Sequence, residues 1–75
     1  MRVFNVTAEI TTHICSKKVT RKSEVLVGAL EVESITVELL NRAEYLHKLV
    51  PRFITGKLRD SYKCSKVIKI EEVNK

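Results

Sequence analysis

The clearest pattern in the chain is a run of apolar residues at helical spacing between Ser34 and about Phe53. These positions recur at steps of three and four, and at about 100° per residue they form one stripe along a helix. The stripe comprises Ile35, Leu39, Ala43, Leu46, Val50 and Phe53, widened by Leu40 and Leu49. Ser34 and Thr36 are candidate N-terminal caps, because their hydroxyls can accept hydrogen bonds from free backbone N–H groups. One amphipathic helix cannot bury its stripe alone, so the flanking segments must provide an opposing apolar face.

Pro51 limits the predicted helix. It has no N–H to bond the carbonyl of His47, and its ring crowds that carbonyl. We therefore expect the regular helix to stop near Leu49. Because Phe53 continues the stripe, the sequence also allows a kink and one further turn, with Gly56 as the terminating residue.

Strand patterns precede this helix. Apolar and polar residues alternate from Phe4 to Ile14, which predicts a strand with one wet face and its apolar residues at even positions. The charged segment 15–23 breaks the alternation and is typical of a solvated connection at a hairpin tip. Residues 25–32 are apolar at nearly every position, which predicts a strand covered on both faces or central in the sheet. Gly28 within it indicates a bulge or a close approach by another element, such as the helix.

A last strand is predicted from about Cys64 to Val73, with a frayed end at Asn74 and Lys75. Apolar residues occupy the even positions near this strand, except that Lys66 interrupts them; they are Tyr62, Cys64, Ile68 and Ile70. The order strand, strand, helix, strand predicts one α+β domain, residues 1–75, built as a small two-layer sandwich with one helix on a three-stranded sheet. We expect the last strand beside the first, although pairing with the second also satisfies the connection rules.

The composition is that of a soluble globular chain, with 44% hydrophobic and 31% charged residues. The N-terminal segment has polar residues at about every second position, and no stretch approaches the length of a membrane span. We therefore expect a cytoplasmic protein without a membrane partner. In a reducing compartment Cys15 and Cys64 are expected as free thiols, and we assign them no role.

The net charge of +5 is unevenly distributed and favours polyanions or acidic proteins as partners. Basic residues are concentrated at 17–22 and 52–69, on either side of an acidic middle. If both regions lie on one surface, they could line a phosphate track, and binding would fall steeply with salt. The residues that form the hypothetical binding surface are Lys17, Lys18, Arg21, Lys22, Lys57, Arg59 and Lys63.

Residue types used in catalysis and metal binding are present but poorly arranged. Four residues of zinc-ligand type lack the closely paired spacing of structural zinc sites; they are His13, Cys15, His47 and Cys64. Cys15 near His13 is the only local pair for nucleophilic catalysis, and Glu9 is the only carboxylate nearby. No glycine-rich loop offers an oxyanion or phosphate site. We therefore expect no enzyme activity, no metal and no cofactor.

Without a chemical site, the sequence predicts a small accessory or regulatory protein that binds a protein partner or associates with itself as a dimer. The alternative is a nucleic-acid-binding protein that uses the two basic regions. Val37 and Tyr45, on the helix away from the stripe, and a free edge of the second strand would provide apolar surface for a partner. These residues match the motif of no family that we identify; VLVGALEVESITVELL followed by VPRFITGK has only the general look, in size and composition, of small bacterial and phage accessory proteins, and no functional residue is carried over.

Overall fold

The computed structural model describes residues 1–73 and consists of a three-stranded antiparallel sheet with short helices on one face. The predicted α+β fold and its order of strand, strand, helical segment and strand are confirmed. The predicted frayed end at residues 74–75 lies outside the described residues. The elements are β1 (Arg2–Ile14), β2 (Lys17–Ala29), α1 (Val37–Leu40), α2 (Ala43–Leu49), α3 (Gly56–Ser61) and β3 (Lys63–Glu72).

Strand β1 lies at the centre of the sheet, which has the order β2-β1-β3. The expectation that the last strand pairs with the first is therefore confirmed. The even-numbered side chains of β1 between its exposed ends form the floor of the core and are at most 2% exposed; they are Phe4, Val6, Ala8, Ile10 and Thr12. Since successive side chains of a strand point to opposite faces, the alternation identified the buried face correctly.

The connection between β1 and β2 is much shorter than predicted, because segment 15–23 is not a solvated loop. Cys15 and Ser16 alone form the turn, with φ values of 50° and 66°, and β2 begins at Lys17. A two-residue turn with both φ values positive matches the twist of the strands that it joins. Since β3 begins opposite Thr11, the hairpin tip extends beyond it, and the molecule measures 42 × 18 × 17 Å. The charged residues that suggested a loop therefore belong to a projecting two-stranded arm.

Strand β2 is an edge strand covered on one face, which corrects the expectation of a central or doubly covered strand. Val25, Val27 and Ala29 are buried in the core, whereas Leu26 points to the other face and is 59% exposed. The strand ends at Ala29, and a 3-10 turn over Val32–Ser34 replaces its predicted last residues. The apolar run thus combines core residues with an exposed surface.

The predicted helix, expected to begin at Ser34 and to stop near Leu49, is divided in two, because α1 and α2 occupy this part of the chain. Thr36 caps the first helix, and its Oγ1 accepts a hydrogen bond of 3.2 Å from the backbone N–H of Leu39. Helix α1 ends after one turn at Asn41, before α2 begins. Of the predicted stripe and the two residues that widen it, those buried are Ile35, Leu40, Leu49 and Val50.

Helix α2 ends at Leu49, as the position of Pro51 predicted. The carbonyl of His47, which Pro51 cannot bond, accepts a hydrogen bond from Nη2 of Arg59 instead. The same guanidinium donates through Nη1 to the carbonyls of Pro51 at 3.0 Å and Ile54 at 3.1 Å. Arg59 therefore supplies the donor that proline removes and holds the loop between α2 and α3.

The chain beyond Pro51 does not continue the buried stripe. Phe53 is 73% exposed, and Ile54 enters the core instead. Gly56 opens α3 with a φ of 67°, and so it begins a helix rather than terminating one. The further turn that the sequence allowed is therefore not formed, and the chain has no helix between Leu49 and Gly56.

Strand β3 contains two irregularities that explain its interrupted parity. Its register with β1 shifts twice, so that Ser65 and Ile68 have no partner across the ladder. Each shift reverses the side-chain parity, and Val67 and Ile70 pack against the core while Ile68 is 41% exposed. Lys66, which broke the apolar pattern, pairs with Glu9 on the other face of the sheet.

Candidate functional site

The helices pack on one face of the sheet, and no helix of residues 1–73 packs on the other, which we call the open face. The register places the odd-numbered residues of β1 at its centre, between the even-numbered residues of β2 and their counterparts in β3. The charged residues of the open face within the three strands are Glu9, Lys18, Lys22, Glu24, Lys63, Lys66, Lys69 and Glu71, together with the imidazole of His13.

The half of the open face near the hairpin tip is basic. Lys22 in β2 and Lys66 in β3 lie on either side of Glu9 in β1. Lys63 and Lys18 lie two and four residue pairs closer to the tip, opposite Thr11 and His13. We call this set the basic half; its members are Lys18, Lys22, Lys63 and Lys66. Glu9 is the one carboxylate that the strands place among these four lysines. The basic half therefore carries a net positive charge and attracts anions.

The other end of the open face is apolar. Val73 donates its N–H to the carbonyl of Val3 at 2.8 Å, so the two valines lie side by side. Leu26 follows on β2, and the side chain of Met1 lies over Gly28, with Sδ 2.9 Å from the place that a Cβ would occupy. The close approach predicted at Gly28 is therefore made by Met1, not by a helix. We call Met1, Val3, Leu26 and Val73, all exposed, the apolar end.

The structure brings together three of the seven predicted binding residues. Lys18, Lys22 and Lys63 share the open face, whereas Lys17 and Arg21 belong to the opposite face of β2. There the Arg21 guanidinium lies 5.2 Å from the centroid of the Phe53 ring, a cation–π contact with an exposed partner. The basic tip is thus divided between the two faces of the sheet.

The two remaining candidates lie in α3. Lys57 is exposed there, and Arg59 is only partly exposed because its guanidinium binds three carbonyls within the chain. Since these bonds occupy the donors that would bind a ligand, Arg59 contributes to the fold and not to the open face. The basic region 52–69 therefore does not form one surface.

Sequence reasoning missed Lys66 and the apolar end. Lys66 interrupts an apolar parity in the sequence, and only the bulge at Ser65 places it beside Glu9. Leu26 belongs to a run that predicts a fully covered strand, because a continuous apolar run does not show which face is free. Val37 and Tyr45, expected as available apolar surface, are half buried and pack against the core.

The thiols and imidazoles do not converge. Cys15 is exposed at the tip, His13 lies on the open face, and His47 is in α2. Cys64 is buried in β3, and burial raises the pKa of its thiol. Within residues 1–73 no three side chains of His, Cys, Asp or Glu are grouped to hold a metal ion.

The lengths of the helices and the comparison with known proteins complete the description of the chain. None of the helices in the described residues has the length and apolar character needed to cross a lipid bilayer. Comparison with protein-family models, curated proteins and solved structures finds no match to this chain. Residue roles and partners must therefore be inferred from the open face itself.

Proposed function

We propose that this chain is a small non-catalytic accessory or regulatory protein that binds a protein partner through the open face. The observation that supports this proposal is the presence of an apolar end and a basic half on one uncovered surface. Protein interfaces combine a desolvated apolar contact with a polar surround, and the open face provides both along three strands.

The apolar end supplies the desolvated part of such a contact. Single exposed apolar residues are common on protein surfaces, but here Val3 lies beside Val73, Leu26 is diagonal to Val3 across the ladder, and Met1 lies over Gly28 opposite Val3. Contiguous apolar surface of this kind marks interaction sites. Covering it removes apolar area from water at about 25 cal/mol per Å².

The basic half determines the charge of the partner. Its four lysines favour a segment with carboxylates, and the lysines add specificity and association rate more than affinity. The partner is therefore a protein segment that is apolar where it covers Val3 and acidic where it reaches Lys66. Between the apolar end and the basic half, Glu24 and Lys69 lie on either side of Thr7. They would accommodate a polar stretch of the partner between its apolar and acidic parts.

Nucleic-acid binding through the basic patches at 17–22 and 52–69 is the second candidate, favoured by the row of lysines on the basic half. A phosphate backbone along these lysines would give a salt slope of about −3 to −4. The open face of the described residues presents no aromatic ring for base stacking. Phe4 and Tyr62 are buried, Tyr45 packs against the core, and Phe53 lies on the helical side. This observation makes a protein partner the first proposal.

The test is affinity capture from cell extract with matched variants as bait. Val3→Ser and Leu58→Ser remove apolar residues of nearly equal exposure, 41% and 40%, but only Val3 lies on the open face. Lys66→Glu and Lys57→Glu form the corresponding pair for charge. We expect a specific protein to be retained by the wild type and both α3 variants and lost by Val3→Ser and Lys66→Glu.

Fluorescence anisotropy with labelled single- and double-stranded DNA and RNA decides the alternative. Binding that falls steeply with salt and is lost in Lys66→Glu would replace the protein partner by a nucleic acid. Equal retention of the same proteins by all four variants would overturn the open face as the binding surface. Circular dichroism of each variant shows whether the fold is kept.

A further inference from the structure

The outer edge of β2 differs from the outer edge of β3. β2 pairs with β1 over thirteen residues without a register shift, so its free edge is regular. β3 has two bulges, and the side chain of Asn41 occupies its outer edge by bonding both the N–H and the carbonyl of Cys64. Bulges and covering groups protect a strand edge from pairing, and β2 has neither.

The backbone groups on this free edge can be assigned from the hairpin. A two-residue turn makes Ile14 and Lys17 a hydrogen-bonded pair, and hydrogen-bonded and non-bonded pairs then alternate along the ladder. The odd residues of β2 therefore bond β1, and the even residues from Lys18 to Gly28 direct their N–H and carbonyl groups outward. The hydrogen bonds of residues 1–73 give these outward groups no backbone partner.

We propose that β2 pairs antiparallel with β2 of a second copy about a two-fold axis at Ser23. In this register Lys17 lies opposite Ala29, so the two strands overlap along their whole length. Lys22 lies opposite Glu24 of the second copy, and Glu24 lies opposite its Lys22, so the symmetry forms this ion pair twice. Both Lys22 and Glu24 direct their backbone N–H and carbonyl groups outward. The residues that form the ion pair across the two strands therefore also form the backbone hydrogen bonds across them.

Neighbouring registers lack this complementarity. An axis at Lys22 places the two lysines opposite each other, and an axis at Glu24 places the two glutamates opposite each other. Like charges directly opposite across a ladder are destabilising. The register at Ser23 is therefore selected by charge and by strand length together.

The dimer would be a continuous six-stranded sheet. In this register the half of β2 that the helices cover, which contains Val25 and Val27, pairs with the half of the second copy's β2 that belongs to its projecting arm. On the open faces, the basic half of each copy then adjoins the apolar end of the other. This inference goes beyond the proposed partner binding and rests on the edge of β2, not on what the open face binds.

Site-specific cross-linking tests the register. In an antiparallel ladder, opposite residues of a non-bonded pair have Cα atoms about 4.5 Å apart, within disulfide range. In a Cys15→Ser background, with Cys64 buried, Ser23→Cys should form a covalent dimer under mild oxidation. Thr20→Cys is the control, because Thr20 lies opposite Leu26 and far from its own copy.

Charge exchange tests the ion pairs by sedimentation equilibrium. Lys22→Glu and Glu24→Lys should each weaken the dimer by roughly tenfold, since each replaces two attractive pairs by two repulsive ones. The double exchange Lys22→Glu with Glu24→Lys restores both pairs and should restore the dimer. A loss caused by misfolding would not be repaired by the second substitution.

A monomeric wild type throughout the accessible concentration range overturns the proposal, and so does cross-linking of Thr20→Cys at the rate of Ser23→Cys. Neither result affects the proposed partner, because the variants that test it, Val3→Ser and Lys66→Glu, change residues of β1 and β3. Conversely, a dimer with the predicted cross-link stands even if affinity capture retains no protein.

Discussion

The side-chain amide of Asn41 binds the backbone of Cys64 as a neighbouring strand would. Its Oδ1 accepts from the Cys64 N–H at 2.8 Å, and its Nδ2 donates to the Cys64 carbonyl at 3.0 Å. A second bond from Nδ2 to the carbonyl of Val37 fixes the amide at the end of α1. One residue at the C-terminal cap of α1 thus joins the helical layer to the edge of the sheet.

Asn41→Ala should lower the free energy of unfolding by about 1–3 kcal/mol, because it leaves a part-buried N–H and carbonyl without partners. Urea denaturation measures this loss. Asn41→Asp keeps the acceptor for the N–H but sets a carboxylate oxygen against the carbonyls of Val37 and Cys64, and so it should be no more stable than the alanine variant. An unchanged midpoint for Asn41→Ala would contradict the role of this amide.

Arg59→Ala should also destabilise the fold by about 1–3 kcal/mol, because three carbonyls lose a charged donor and the carbonyl of His47 has no other donor among residues 1–73. The exposed Arg52→Ala should stay within about 0.5 kcal/mol of the wild type. Thermal unfolding of the two variants compares them directly. Equal stability would show that Arg59 is a surface charge and return it to the set of binding candidates.

The two glycines should respond differently to alanine. Gly56 has a φ of 67° and open space where a Cβ would lie, so Gly56→Ala carries backbone strain alone and should cost about 1 kcal/mol. Gly28→Ala meets only the flexible end of Met1, which can move, and alanine suits a strand interior better than glycine. Chemical denaturation should therefore show a smaller loss, or a gain, at Gly28. A larger loss of stability for Gly28→Ala than for Gly56→Ala would contradict these roles of the two glycines.

The pairing of Arg2 and Glu72 predicts a pH dependence. Nε and Nη2 of Arg2 donate to the two carboxylate oxygens at 3.0 and 2.7 Å, and these bonds lower the pKa of Glu72. A lowered folded-state pKa gives stability that is present above the ordinary glutamate pKa of about 4.3 and lost as the pH falls through the folded value. The stability difference between wild type and Glu72→Gln should therefore be present at neutral pH and vanish in acid. Because the pair is exposed, added salt should reduce it as well; a difference that grows in acid would refute the assignment.

The sequence predicted those parts of the fold that one local period determines. The even positions of β1 are buried because a strand alternates, and α2 ends at Leu49 because Pro51 lacks a donor. The break of the long helix was not visible, since it depends on Asn41 meeting Cys64, twenty-three positions away. Segment 17–22 looked like a loop because the arm extends past the core, where burial imposes no alternation on its residues.

The candidate surface was partly predictable for a similar reason. Charge clustering selected Lys18, Lys22 and Lys63, but clustering in sequence does not distinguish the two faces of a strand, and so Arg21 was included. Lys66 joins the open face only through the bulge at Ser65, which has no sequence signal of its own. The register, not the composition, determines which cations are neighbours.

The central place of β1 also dictates an order of events during folding. Its pairing with β2 closes a two-residue turn and is local, so the hairpin can form within microseconds. Its pairing with β3 joins Phe4 to Glu72 and must await the ordering of the whole helical segment, a non-local step of the kind that slows folding. Until then the hairpin has two free edges, and β1 can be captured by another chain. We therefore expect the hairpin, before β3 pairs with β1, to be the part of this chain most open to pairing with another chain.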